Sequence, residues 1–497
     1  MSFRRGLALS GFARRHLGRM AAGRRGVMEH LAAPAADNLP MPTFVQLRVT
    51  NLCNLRCKMC GQWGDTGIYR SQSGEEPTDG ALERQRIQDL IGAKRQLALS
   101  DYVKLLDEIA PGNPIVSLFG GEPFLYPDIL PLIAEIKKRG LTCTVITNGG
   151  RLEALAKDLV QLGIDSIAVS IDGPPDVHDR IRGRSDSFAR AEAGIRAVAR
   201  WRKELSRARP MVIAILPVTE LNLGAIGPAV EALRRLPLDT INVGLRWFVP
   251  ESVGAEYERV MREELGVTAT SWRGFAFDSD AAFGNRDQQM LELVRLLRGL
   301  RRRRFADSTL GRPWTSFVPD VPAERVPEYF SNFAETFGHA MCPVAWYFAQ
   351  VEPDGEVCFC GDFPDYFIGN VRRQPFREIW TGERASRFRA KLAKEPLPIC
   401  ARCCGNYVYG KWQRPATSGR QHVPELVKIE PLRGMEPDHA LEVRGDARHH
   451  PGGVLVGREA RVGGEGLAPD VEVAAVGVAE EEPRQDLAAA EARQQRR

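Results

Sequence analysis

The chain has 497 residues and a net charge of +5, from 68 Lys+Arg against 63 Asp+Glu. Its composition, 43% hydrophobic and 26% charged, is that of a globular protein with enough chain for about three domains. So small a net charge gives no reason to expect nucleic acid as a partner. No apolar run of about 18 residues occurs, so no transmembrane segment is expected.

The N-terminus comes first. Residues 1–28 hold seven arginines and no acid. Their apolar stretch, 6–13, is too short and too broken for a signal peptide. We read 1–40 as a basic leader, either docked on the body, loose, or held at an anionic surface. Without a signal peptide the ten cysteines are expected to be reduced thiols in the cytoplasm. Tight cysteine groups then point to metal or redox chemistry, and nine of the ten fall in two groups.

Residues 41–249 alternate short β-branched runs with amphipathic stretches. Strands are predicted at Thr43–Thr50, Ile115–Phe119, Cys143–Thr147, Ser166–Ile171, Val212–Pro217 and Thr240–Arg246. Helices are predicted from a Ser100 cap through Ile109, at Asp128–Lys138, Leu152–Leu162 and Ser187–Lys203. Another is predicted at Leu223–Leu236, where Pro228 would shorten or bend it. Alternating strands and helices imply an α/β fold with a parallel sheet, either doubly wound or a partial barrel, and ligands at the strands' carboxyl ends. The polar stretch Gly61–Leu99 interrupts the rhythm. Residues 250–340 read as a helical insertion or linker, with a helix at Gln288–Leu300 whose following arginines, 301–304, form a solvated end.

Cys53, Cys57 and Cys60 form C-x3-C-x2-C directly after the first strand. Three thiolates on one short loop hold a four-iron cluster at three corners and leave one iron open. A zinc knuckle is the alternative, but it wants a fourth ligand, and the nearest histidine, His30, lies well upstream. This spacing, followed by repeating strand–helix units, resembles the radical S-adenosylmethionine (SAM) enzymes. The resemblance implies a partial (βα)6 TIM-like barrel in which SAM chelates the open iron. It places Met59, where the family usually has an aromatic residue, against the adenine. Gly120-Gly121-Glu122-Pro123 looks like the family's GGEP motif, which binds the methionyl amino group. Asn148, in Thr147-Asn148-Gly149, and Ser170 with Asp172, in Ser170-Ile171-Asp172-Gly173, stand at the family's polar contacts to SAM. The segment His178-Asp179-Arg180-Ile181-Arg182-Gly183 is similar to that of the peptide-modifying branch.

The second group is Cys342, Cys358, Cys360, Cys400, Cys403 and Cys404. Pro353-Asp354-Gly355 reads as a turn joining strands Phe348–Glu352 and Glu356–Cys360. Residues 341–415 resemble the C-terminal auxiliary-cluster domain called SPASM, or twitch in its short form, built of a β-hairpin plus helix. Cys342 is followed by 12 residues, Gly355, four residues and Cys360. That resemblance selects Cys342, Cys360, Cys400 and Cys403 as ligands of one auxiliary [4Fe-4S] cluster. Cys358 and Cys404 are alternatives to them, and four-thiolate zinc is the other occupant to weigh. Gly369-Asn370 and Ile379-Trp380 match further family positions. Tyr409 stands where the long form has its next cysteine, so the short form is expected. Cys143 reads as a buried hydrophobe. Gly405–Lys411 spells G-x4-G-K but is followed by Trp412, which excludes a P-loop. Residues 435–497, with 8 Arg against 13 Asp+Glu and no aromatic residue, read as a disordered tail.

The implied activity is reductive cleavage of SAM to a 5'-deoxyadenosyl radical, which abstracts hydrogen from a substrate. An electron donor such as flavodoxin or ferredoxin is expected. A peptide or protein substrate is the first expectation, undergoing oxidative modification or maturation. Dehydrogenation of a small sugar or aminocyclitol is the alternative. A non-catalytic iron–sulfur or zinc protein is the third reading, and it leaves Gly120–Pro123 unexplained. With 52 residues ahead of Cys53, no leader-peptide-binding domain is expected there.

Overall fold

The structure is a computed structural model; it describes residues 25–27, 39–64, 67, 96–403, 405 and 407. The expected tail at 435–497, most of the leader, most of Gly61–Leu99, and Cys404 lie outside the described residues. The described part is an α/β fold built on one ten-stranded sheet. In chain order the strands are β1 (Phe44–Thr50), β2 (Ile115–Gly120), β3 (Thr142–Thr147), β4 (Ser166–Ser170), β5 (Met211–Val218) and β6 (Thr240–Leu245). They continue as β7 (Trp314–Val318), β8 (Phe348–Val351), β9 (Glu356–Cys358) and β10 (Phe367–Asn370). Spatially the order is β10-β9-β8-β1-β2-β3-β4-β5-β6-β7. Strands β1 to β7 pair in parallel, each with the next. Pairing ends at β7 on one side and β10 on the other, so the sheet does not close, as a partial barrel requires.

The six expected strands all form. One face of each carries the core: Val45, Leu47, Val116, Leu118, Cys143, Val145, Ile167, Val169, Val212 and Ala214 are fully or almost fully buried. Each such valine, leucine or isoleucine contributes about 1.5–3 kcal/mol by leaving water. The helices Ile129–Lys138, Leu152–Leu162 and Ser187–Glu204 each bury an apolar face in this core. On β1, β3 and β6 the opposite face carries the polar residues Gln46, Arg48, Thr50, Thr144 and Asn242. The strands' carboxyl ends deliver the site residues.

The structure departs from the sequence expectations at several points. A seventh parallel strand, β7, lies inside the stretch expected to be helical. It is five residues long and bounded by Pro313 and Pro319, and an edge strand tolerates such flanks. Arg301–Arg304 are not past a helix end, because the helix runs Asp287–Thr309. Arg301 stacks 4.1 Å from the Phe317 ring and pairs with Asp320, and Arg304 lies over Trp314. Their three-residue spacing covers β7, while Arg302 and Arg303 face solvent. The first helix is Leu99–Ile109, and Asp101, not Ser100, accepts the Ala98 N–H at its start (3.1 Å). Pro228 falls in the first turn of Ile226–Arg234, where its missing N–H costs nothing. The hairpin β8–β9 turns at Gly355 (φ 94°) as expected. What the sequence did not signal is that β8 pairs in parallel with β1, which makes both cysteine regions part of one sheet.

Candidate functional site

The first thiol site is the loop after β1. Cys60 N–H donates to the Cys57 carbonyl (3.0 Å), and Gly64 N–H to the Cys60 carbonyl (2.8 Å). The Trp63 indole N–H reaches the Asn51 carbonyl (2.7 Å), and Arg56 stacks 4.7 Å from the Trp63 ring. The turn is thus held by the protein's own contacts. Cys57 is buried, Cys53 and Cys60 are half-buried, and Met59 is half-buried beside them. Burial pushes the Cys53 thiol up to about 12 and raises Cys57 as well, against the opposing charge of Arg182. Loading a metal therefore releases protons.

The expected SAM-contact residues gather around this loop. Gly120 and Gly121 let β2 approach the cysteine loop's own backbone. A Cβ at Gly121 would lie 2.1 Å from the Leu52 carbonyl oxygen, and one at Gly120, where φ is 141°, would lie 2.2 Å from that of Thr50. Gly121 N–H donates to the Thr50 carbonyl (2.9 Å) and Glu122 N–H to that of Leu52 (2.6 Å). Pro123 then opens a single helical turn, Pro123–Leu125. The Glu122 carboxylate is fully buried. It accepts the Thr147 hydroxyl (2.7 Å) and the N–H groups of Asn148 (2.8 Å) and Phe124 (3.2 Å). Burial raises its pKa, and those donors oppose the rise. Asn148 Nδ2 donates to Asn54 Oδ1 on the cysteine loop (2.9 Å). Ser170 closes β4, half-buried. Asp172 is fully buried and holds Arg182 through both carboxylate oxygens, at 2.5 and 3.0 Å. Arg182 was not among the expected site residues. Its signal was an arginine beside a helix-ending glycine, Gly183 (φ 69°).

The second thiol site is assembled from three chain segments. Cys342, Cys360, Cys400 and Cys403 line one cavity of about 130 Å³, walled also by Tyr347, Phe348 and Phe363. Cys342 is held below the usual thiol range by a hydrogen bond from Cys400, whose own pKa the same bond and burial push up. Cys358 is buried but does not line this cavity; its thiol faces the Cys360 carbonyl at 3.7 Å. What fixes the C-x2-C turn is not legible in the sequence. Arg402, between its cysteines and 1% exposed, donates to the carbonyls of Tyr329 (2.8 Å), Glu335 (2.7 Å) and Asn332 (2.5 Å) and stacks on the Tyr329 ring at 4.5 Å.

Among the described residues, no three His, Cys, Asp or Glu side chains close on a single metal ion. The four sulfurs instead surround a cavity, and the three stand on a half-open loop. Both donor sets are all-thiol and suit polynuclear iron–sulfur clusters. A separate cleft of about 930 Å³ opens where the chain leaves β6. Its walls carry Glu251, Glu258 and Asp278 against Arg273, with the rings of Trp272, Phe277, Phe330 and Phe333. Phe275, next to this wall, presses on Gly61, one residue past Cys60, and lies 5.1 Å from Phe363 of the second cavity. No described helix is long and apolar enough to cross a membrane.

A parallel α/β sheet with thiol sites at β1 and at the β8–β9 hairpin defines an iron–sulfur enzyme. Residues 47–213 match the radical SAM superfamily, and residues 342–404 match SPASM, an iron–sulfur cluster-binding domain. The chain belongs to the radical SAM superfamily and carries a C-terminal SPASM domain. Its cofactors are SAM, a [4Fe-4S] cluster and further iron–sulfur binding in the SPASM domain. Among curated proteins it is similar to an AdoMet-dependent heme synthase of Oleidesulfovibrio alaskensis, with 29% identity over 32% of this chain and 36% of that one. It is also similar to a tungsten-containing aldehyde ferredoxin oxidoreductase cofactor-modifying protein of Pyrococcus furiosus, with 23% identity over 72% and 86% of the two chains. The chain thus spans about a third of the first relative and most of the second. A solved structure, SuiB of Streptococcus suis bound to the precursor peptide SuiA, superposes with a TM-score of 0.46 at 12% identity, covering 75% of this chain and 72% of that one.

Proposed function

We propose that this enzyme abstracts hydrogen from a peptide or protein segment carrying basic residues, and so carries out an oxidative modification. The observation that carries the reading is the charge of the 930 Å³ cleft, with three carboxylates against one guanidinium among aromatic walls. Such a wall attracts ammonium and guanidinium groups and repels carboxylates. It is also large for a single sugar or aminocyclitol. Heme synthase activity in a relative suggests a second reading, a tetrapyrrole substrate. Propionate-bearing rings would meet three acids in this cleft, which favours the peptide.

In this reading Cys53, Cys57 and Cys60 hold the first cluster. Met59, Gly120, Gly121, Glu122, Pro123, Asn148, Ser170 and Asp172 form the SAM site. Cys342, Cys360, Cys400 and Cys403 hold one auxiliary [4Fe-4S] cluster. When bound, the first cluster supplies one electron to the SAM sulfonium, generating the radical that removes a substrate hydrogen. The chain's own part is to position and to shield. The glycine pair locks the cysteine loop against β2, and the Glu122 and Asn148 hydrogen bonds tie that loop to β3. Phe275 and Phe363 form an apolar contact beside Gly61, one residue past Cys60, that would help keep water from the cysteine loop. A flavodoxin or ferredoxin delivers the electron from outside.

The test is anaerobic turnover with dithionite and SAM. Release of 5'-deoxyadenosine is expected, and its absence in the iron-loaded protein sinks the reading. Lys- and Arg-containing peptides should accelerate that release, and Glu251→Gln with Asp278→Asn should remove the acceleration. Acceleration by iron coproporphyrin but not by peptides would transfer the assignment to a tetrapyrrole.

A further inference from the structure

We infer that Arg182 is a positioning residue that raises the reduction potential of the first cluster through Cys57. The inference rests on Cys57 being a cluster ligand, which iron loading tests separately. Arg182 Nη1 donates toward Cys57 Sγ at 3.7 Å, within reach for a sulfur acceptor. Its guanidinium cannot swing away. Asp172 grips Nε at 2.5 Å and Nη2 at 3.0 Å, with both side chains nearly or fully buried.

Asp172 is itself anchored. Its N–H donates to His178 Nδ1 (3.0 Å), and its carbonyl accepts Asn222 Nδ2 (2.6 Å). The backbone closes the same contact, because Lys58 N–H, one residue past Cys57, donates to the Ile181 carbonyl (3.0 Å). The helix Pro175–Arg182 is thereby fixed to the cysteine loop, and its last side chain is delivered to the sulfur.

The electrostatic sense follows from distance. The guanidinium reaches the sulfur directly through Nη1, while Asp172 binds Nε and Nη2. Reduction adds negative charge to a thiolate-bound cluster. A cation and an N–H donor at one ligand sulfur favour the reduced form, most of all in a buried setting. The other two sulfurs differ: Cys60 Sγ accepts the neutral Trp63 N–H at 3.4 Å, and no cationic donor to Cys53 Sγ is found among the described residues.

The experiment is an EPR-monitored redox titration of the anaerobically reconstituted full chain without SAM. The first cluster's signal is identified by its change when SAM is then added. Arg182→Gln should move that midpoint to more negative potential, and Arg182→Lys should move it less. Asp172→Asn, which leaves the cation without its partner, should move it the opposite way. An unchanged midpoint in fully iron-loaded Arg182→Gln overturns the inference. So does a shift of Arg182→Gln and Asp172→Asn in the same direction, which marks a merely structural pair. If Arg182→Gln fails to load the first cluster, Arg182→Lys decides. A loaded Arg182→Lys with a lowered midpoint supports the inference, and one that also fails to load overturns it.

Discussion

The two thiol sites differ in how the chain delivers their sulfurs. In the first, one loop of eight residues supplies three, and local hydrogen bonds hold its turn. In the second, Cys342, Cys360 and the Cys400–Cys403 turn arrive from separate segments, and the cavity forms only when β8, β9 and Arg402 are packed. A local, three-sulfur, half-open site leaves a position for a small molecule. A non-local, four-sulfur, walled site suits a cluster that is fully ligated. In the proposed reading the catalytic and auxiliary clusters are thus separated by connectivity as well as by place.

The comparison breaks most sharply at Cys57→Ala. Iron should fall from about eight to about four per chain, with loss of 5'-deoxyadenosine release. Retention of that activity would mean the first loop is not the catalytic one. Cys400→Ala should also lose about four irons but keep SAM cleavage, and Cys358→Ala should keep all of them. If Cys358→Ala instead loses iron, the four-sulfur set is wrong. Next comes Gly121→Ala, whose Cβ meets the Leu52 carbonyl at 2.1 Å. Moving the cysteine loop by about 1 Å should lower the 5'-deoxyadenosine rate about 100-fold, with iron content retained. Arg402→Met strips three carbonyls of their donor and should cost about 3 kcal/mol in denaturant unfolding. It should deplete the auxiliary iron before the first cluster's.

The smallest effect concerns pH. Burial lowers the His178 pKa to about 4, from an ordinary value of 6.5. The unfolded chain binds this proton first, so the contribution is complete above about 6.5 and is lost as pH falls toward about 4. At pH 5 the loss is about 2 kcal/mol. Anaerobic urea midpoints should drop between pH 7 and pH 5, and His178→Gln should show a smaller drop.

Much of this was legible in sequence because it is local. The cysteine spacings, the glycine pair, the strand–helix rhythm and the Gly355 turn all arise within short windows. Strand β7 was hidden because five residues between prolines, after an arginine-rich helix, carry too little alternation. The parallel pairing of β8 with β1 joins residues about 300 apart, and no local pattern encodes it. Arg402 was hidden, since a surface arginine and a buried one look alike in sequence, and Arg182 stood in a legible segment whose contact to Cys57 spans 125 residues.

By itself, then, the sequence determined the two cysteine groups proposed to hold iron and the strand–helix order whose carboxyl ends lie beside the first. Only the tertiary structure decided that Cys342, Cys360, Cys400 and Cys403 share a cavity that Cys358 does not line, and which arginine stands at Cys57. It also decided that acids outnumber bases on the walls of the 930 Å³ cleft. Those outcomes depend on long-range packing, where burial sets both the position and the charge of a side chain.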